Sequence, residues 1–308
     1  SISGSSMAGV WTDGNATSLT DVTIEAISGI PGLVGTRAGW GMVIRNGPVS
    51  MNDVRIKRVK RSGLVLQGVS GNIQNLRVES VSPTDEGQLG RGIHIAGTWG
   101  TDMGLDLTDI EVENVYDVGI LVRNAHNLKL TNINIKNVAP GTYEAPSTTG
   151  DDSEEEEVES PGASGLAIPE EVEVSDTGFS SDDDDYEDTT GTTVTMSTGD
   201  GLIVLQRDWP GEDMDAYHHH VTLDGENHFE GISRAGIIAD ASALSLVHPE
   251  TMDAGYTAAD GWSIFTQHCA TINWLDYDSG GVTGMPVPED SPFNFYEDDI
   301  DMSDEGGE

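Results

Sequence analysis

An all-β solenoid is the fold this sequence predicts, and three observations predict it. Apolar residues recur at offsets 0, 3, 5 and 8 in five separate stretches. An Asp or Asn stands immediately before the second apolar position in every copy. Between these stretches runs a second signature, a glycine followed by a short apolar run.

The five copies are Leu19, Val22, Ile24 and Ile27; Met51, Val54, Ile56 and Val59; Ile73, Leu76, Val78 and Val81; Leu107, Ile110, Val112 and Val115; and Leu130, Ile133, Ile135 and Val138. A helix needs a period of about 3.6 sustained over roughly 11 residues, whereas these runs are short and contain a step of two, so they read as strands. Asp21, Asp53, Asn75, Asp109 and Asn132 precede the second apolar residue. Their side chains hydrogen-bond local backbone and favour turns, so they mark a bend inside each copy. The glycine signature begins at Gly41, Gly63, Gly92, Gly119, Gly201 and Gly236, and more loosely at Gly9 and Gly261. Successive glycines lie 32, 22, 29, 27, 82, 35 and 25 residues apart. One such unit cannot close a core alone, so the units must stack.

These residues resemble the right-handed parallel β-helices of the pectin-lyase-like type. "SGLVLQGVSGNIQNLRVESV" and "VGILVRNAHNLKLTNINIKNV" are the stretches that carry the resemblance. It implies a right-handed parallel β-helix of about eight coils, which at a strand spacing of about 4.8 Å makes a rod roughly 38 Å long. Coils are expected over residues 1–138 and again over 194–270. An acidic insertion at 139–193 separates them, and residues 271–308, rich in aromatics, prolines and acids, form a cap and tail over the last open edge. The fold hosts lyases, hydrolases, epimerases, tailspikes and adhesins, so it does not choose an activity.

Composition narrows the setting. The 308 residues include 54 acidic and 14 basic side chains, a formal charge of −40, and only four of the cations are lysines. Such a chain is repelled by nucleic acid. Its dispersed carboxylates and scarce lysine resemble halophilic archaeal proteins, whose self-repulsion is screened in molar salt, where the Debye length is about 3 Å. A single cysteine, Cys269, excludes an intramolecular disulfide. No apolar run reaches the roughly 20 residues of a membrane span. Ser1 rather than Met fits a processed or excised chain. The sequon Asn15-Ala16-Thr17 makes Asn15 a glycosylation candidate and points to an external location.

The candidate sites follow from charge and from metal-ligand chemistry. Seven of the 14 basic residues fall between 37 and 61, and Arg45, Arg55, Lys57, Arg58, Lys60 and Arg61 make a basic patch for an anionic partner. Inward-facing Val54 and Ile56 turn Arg55 and Lys57 outward together. Residues 141–193 carry 18 acids and no Lys or Arg, which reads as a solvated projection. Within it Asp182, Asp183, Asp184, Asp185, Glu187 and Asp188 offer the hard oxygen ligands that suit Ca²⁺. His218 and His220 share a strand face and make a second metal candidate. No cofactor is required by any motif.

Catalysis has weaker signals. Arg55-Ile56-Lys57 matches a triplet of polygalacturonase-like relatives, yet Ile56 is already demanded by the repeat, and no Gly-His-Gly accompanies the triplet. Inverting hydrolysis needs two carboxylates about 6.5 to 9.5 Å apart, for which Asp200 and Asp224 are one pairing. The function expected is therefore a non-catalytic extracellular, cell-surface or virion-surface β-helix adapted to high salt. It would serve in structure or adhesion and assemble as a homo-oligomer, with a trimer as the expected number. Its partner would be a glycan, a surface-layer protein of the host or a neighbouring subunit. The alternative is a polysaccharide lyase or glycoside hydrolase acting on acidic polysaccharide.

Overall fold

The structure, a computed structural model, describes residues 1–29, 38–84, 89–97, 102–145, 194–197, 199–205, 220–240, 242–247, 253–256, 262–267 and 270–275. Among them every regular element is a strand, and no helix is long and apolar enough to cross a membrane.

The chain alternates between two sheets. One is built from eight short strands: Ala8–Asp13, Trp40–Arg45, Ser62–Gln67, Arg91–Ala96, Val118–Arg123, Asp200–Leu205, Ala235–Asp240 and Trp262–Gln267. The other collects the longer strands Thr17–Ile27, Pro48–Lys60, Ser70–Ser82, Leu105–Tyr116 and Leu128–Ala139. Later passes through it are shorter: His220–Asp224 with His228–Ile232, Ala243–Val247 with Asp253–Tyr256, and Thr271–Leu275. Each short strand and the long strand after it form one lap, and each strand pairs in parallel with its counterpart one lap on. This arrangement is compatible with a β-helix or similar solenoid.

The offsets read from the sequence are the register of the long-strand sheet. Leu19, Met51, Ile73, Leu107 and Leu130 align, as do Val22, Val54, Leu76, Ile110 and Ile133. Ile24, Ile56, Val78, Val112 and Ile135 form a third column, and Ile27, Val59, Val81, Val115 and Val138 a fourth. These side chains meet Met42, Ile44, Leu64, Leu66, Ile93 and Ile95 from the opposite sheet in one continuous core. Full burial of each aliphatic side chain contributes about 1.5–3 kcal/mol. In a chain only 36% apolar, the repeat concentrates the aliphatic side chains of these columns in the interior.

The glycines are needed where the sheets approach most closely. A Cβ built at Gly63 would stand 2.6 Å from the carbonyl oxygen of Gly92 and would collide with Cγ1 of Val78. Gly41, Gly92, Gly119 and Gly201 face the same pairing of a following glycine carbonyl and a core side chain. The glycine signature is thus a ladder of missing side chains that lets the third aliphatic column reach the opposite sheet.

The bends occur where the Asp and Asn residues predicted them. Asp21, Asp53, Asn75, Asp109 and Asn132 all adopt left-handed backbone, with φ between 52° and 56°. A second bend follows five residues later, at Ala26, Arg58, Ser80, Asn114 and Asn137, again with positive φ. Only Asn114 and Asn137 are residue types that adopt this conformation readily. At both bends amides link neighbouring laps: Asn132 Nδ2 donates to Asp109 Oδ1 at 2.8 Å, and Asn137 Nδ2 to Asn114 Oδ1 at 3.2 Å.

The corner between a long strand and the next short strand carries buried charge. Arg91 Nε donates to Asp117 Oδ2 at 2.8 Å, with both side chains out of solvent. Two laps on, Arg234 binds both carboxylate oxygens of Asp200, its Nε 2.8 Å from Oδ1. Burial pushes the Asp200 carboxyl up to about 6; the Arg234 hydrogen bonds pull the other way, and the Asp117 charge adds to the rise.

Two departures interrupt the laps. Thr142–Ala145 pairs antiparallel with Val194–Ser197, so the chain leaves and returns to the solenoid at one place around residues 146–193. In the next lap Gly225, Glu226 and Asn227 stand where the preceding lap has Asn132 and Ile133. The buried Asn227 side chain bridges this one-residue excess: its Oδ1 accepts from Ile133 N–H at 2.9 Å, and its Nδ2 donates to the carbonyls of Asp224 and Gly225, each at 3.0 Å.

Candidate functional site: a groove on the long-strand sheet

Between the inward columns, the long strands turn two rows of side chains outward. In register, one row reads Thr23, Arg55, Arg77, Glu111, Asn134 and His228. The other reads Glu25, Lys57, Glu79, Glu113, Lys136 and Glu230. The alternation of two along each strand sets both rows.

The early laps hold the predicted basic residues, and ion pairing engages most of them. Glu25 Oε2 lies 3.1 Å from Lys57 Nζ and 2.6 Å from Arg58 Nη2, and the Lys57 hydrogen bond leads in holding its carboxyl below the usual carboxylate range. Arg55 Nη2 lies 2.6 Å from Glu79 Oε2. Arg77, which the sequence did not single out, reaches Glu79 and stands 3.1 Å from both Glu111 and Glu113. Burial works against its charge, yet Glu111, Glu79 and Glu113 together hold its pKa above the ordinary value. Arg45, Lys60 and Arg61 do not join this band. Arg45 lies on the short-strand sheet, buried, with Nε 2.9 Å from Gln67 Oε1 and Nη1 3.6 Å from Asp13. Arg61 is buried at a corner over the Trp40 ring, 5.1 Å from its centroid, and Lys60 packs against Gly39. Sequence proximity grouped the six residues, and the winding separates them into three environments.

In the middle laps the same face changes character. A groove of about 1150 Å³ is lined by Asp109, Glu111, Asn132, Asn134, Glu226 and His228. The wall on one side is the excess segment Gly225–Asn227, raised by its one-residue mismatch with the lap beneath and held by the Asn227 bridge. Asn132 Oδ1 accepts from Glu226 N–H at 3.0 Å, which ties wall to floor. The Asn134 Oδ1 is buried and has no hydrogen-bond partner among the described residues. His228 Nε2 stands 3.4 Å from Glu230 at the far rim. The groove is therefore a strip of carboxylate and amide groups, electronegative, beside a band of cations matched by neighbouring acids.

The remaining expectations fall as follows. Asp200 is fully buried on the short-strand sheet, while Asp224 lies on the long-strand sheet with Lys129 Nζ 2.7 Å away, so the two do not form an open carboxylate pair. Ile56, the middle of the Arg55-Ile56-Lys57 triplet, is a core residue with no exposed surface. Asn15 sits on an exposed turn, its Nδ2 donating to the Asp13 carbonyl at 2.9 Å. His220 begins a long-strand-sheet segment opposite Ala243. His218 and the acidic residues Asp182, Asp183, Asp184, Asp185, Glu187 and Asp188 lie outside the described residues. Among the described residues no group of three His, Cys, Asp or Glu side chains is placed to hold a metal ion.

No family model, curated protein or solved structure matches this chain.

Proposed function

We propose that the chain is a non-catalytic right-handed parallel β-helix of pectin-lyase-like type, working in structure or adhesion on an extracellular, cell or virion surface at high salt. Its ligand is a glycan held in the groove of Asp109, Glu111, Asn132, Asn134, Glu226 and His228. The observation that carries this is the groove itself, about 1150 Å³ and lined by hydrogen-bonding side chains from three successive laps. Carboxylates accept hydrogen bonds from sugar hydroxyls, and amides both donate and accept. Three laps at a spacing of about 4.8 Å present these groups as a strip on the order of 10 Å long.

The same charges select the ligand class. Glu111, Asp109 and Glu226 repel uronic and sulfated sugars, and the cations of Arg55, Lys57, Arg58 and Arg77 are engaged by Glu25, Glu79, Glu111 and Glu113. A neutral or amino-bearing glycan fits this groove better than the anionic partner expected from the basic patch. The test is retention of the protein on immobilised neutral, amino and acidic polysaccharides in molar KCl, with a parallel assay for new reducing or unsaturated ends. Binding to neutral or amino polymers without turnover, lost in Asn134→Ala and His228→Ala, supports the proposal. New chain ends would move the function to the hydrolase or lyase class, and retention on acidic polymers alone would refute the groove as the site.

A further inference from the structure

Resting on the reading of the groove as a glycan site, we infer that it selects amino-bearing glycans and that Glu226 is the residue that distinguishes their ammonium group. Three carboxylates line the groove, and their surroundings differ. Glu111 lies 3.1 Å from Arg77 Nη1, which offsets its charge. Asp109 Oδ1 accepts from Asn132 Nδ2 at 2.8 Å. Glu226 is exposed, and among the described residues its carboxylate has no hydrogen bond or ion pair. Lys129, on the strand of the lap beneath, is committed to Asp224 at 2.7 Å. The Glu226 carboxylate therefore stays available to a ligand.

The backbone holds this carboxylate in place. Gly225 takes the left-handed turn at φ 74°, so close to the floor that a Cβ there would stand 2.3 Å from Asn132 Oδ1. Glu226 N–H donates to that same oxygen at 3.0 Å, and buried Asn227 anchors the following residue through Ile133 N–H. A ligand that meets Glu226 thus has only a side chain to order, which keeps the entropic cost of binding low.

The spread of charge argues for an extended ligand. Among the described residues no group of three His, Cys, Asp or Glu side chains is placed to hold a metal ion. Asp109 and Glu111 stand two laps from Glu226 and His228, with Asn132 and Asn134 between. At a strand spacing of about 4.8 Å that is about 10 Å, the scale of a disaccharide. An ammonium donates to carboxylates, and the hydroxyls of the neighbouring sugar unit meet the amide groups. In molar salt the Debye length is about 3 Å, so repulsion or attraction from distant acids is screened while a contact pair at Glu226 persists.

The experiment is calorimetric titration of the full chain in molar KCl at pH 6, where amino sugars are protonated. The probes are a glucosamine tetramer, the same tetramer N-acetylated, which removes the charge, and a glucose tetramer. All three are expected to bind, the glucosamine form about 10-fold more tightly, as one charge-assisted hydrogen bond contributes. Glu226→Gln keeps the N–H on Asn132 and should abolish that advantage while leaving the other two affinities unchanged. Asp106→Asn removes an exposed acid from the strand Leu105–Tyr116 outside the groove and should change none of the three. Equal affinity for the three probes, an advantage that survives Glu226→Gln, or one that is lost in Asp106→Asn overturns the selectivity and leaves the glycan site standing. Absence of binding by all three overturns both.

Discussion

Replacing Asn227 with alanine removes a side chain that completes the sheet ladder where one lap has a residue too many. Its carbonyl oxygen satisfies the buried Ile133 N–H at 2.9 Å, and its amide nitrogen satisfies the carbonyls of Asp224 and Gly225 at 3.0 Å. Stranding the buried N–H costs about 1–3 kcal/mol, and each lost amide bond about 0.5–1.5 kcal/mol. Solvent can reach the two carbonyls once the side chain is gone, so the sum expected is about 3 kcal/mol. In a stack of laps this loss is felt first as local opening, because each lap contacts chiefly its neighbours. Amide hydrogen exchange at Ile133, in molar KCl, reads it directly: about 3 kcal/mol corresponds to exchange roughly 100-fold faster. The groove wall Gly225–Asn227 is released with it, so glycan retention falls in the same variant. A change at Ile133 below about 3-fold would refute the bridging role, since the stranded N–H would then have found another partner.

Other outcomes follow from the same geometry. Gly63→Ala places a methyl group 2.6 Å from the Gly92 carbonyl and against Val78, and should lower stability by about 3 kcal/mol in denaturant titration. Ser80→Asn puts a residue tolerant of left-handed backbone at φ 56° beside the Asn114 and Asn137 stack, and should raise stability by about 1 kcal/mol in the same assay. For Asp200, whose carboxyl is raised in the fold to about 6, the folded state binds the proton more tightly than the unfolded chain. Its contribution to stability is therefore fully present below about pH 4 and is lost as pH rises through about 6. Asp200→Asn should flatten that part of the melting-temperature profile. With a charge of −40, the melting temperature should climb between about 0.2 and 3 M KCl as the Debye length shrinks to about 3 Å.

What the sequence made legible was whatever one residue type could signal by itself. The four aliphatic columns were readable because inward positions accept only apolar side chains, and the first bend because Asp or Asn stands at all five copies. The second bend has the same backbone but is built from Ala26, Arg58 and Ser80 as well as Asn114 and Asn137, so composition gave no sign of it. Glycine was visible as punctuation. Its reason, the approach of Val78 and its equivalents from the opposite sheet, is a contact between strands that no local pattern encodes.

The groove was hidden for a similar reason. Asn227 and Ile133 are 94 residues apart, and the one-residue mismatch that raises the wall exists only once the laps are aligned across the acidic segment. Conversely, Arg45 and Arg61 looked like members of the basic patch because they are close in sequence. A solenoid turns such neighbours onto different faces within a few residues.

The most direct test of the groove is a hydrogen-exchange footprint of the protein with and without a saturating neutral or amino oligosaccharide in molar KCl. Slower exchange confined to Asp109–Glu111, Asn132–Asn134 and Gly225–His228 is the predicted result. Protection centred instead on Arg55–Arg61, or no protection at any concentration of neutral, amino or acidic sugar, would contradict it.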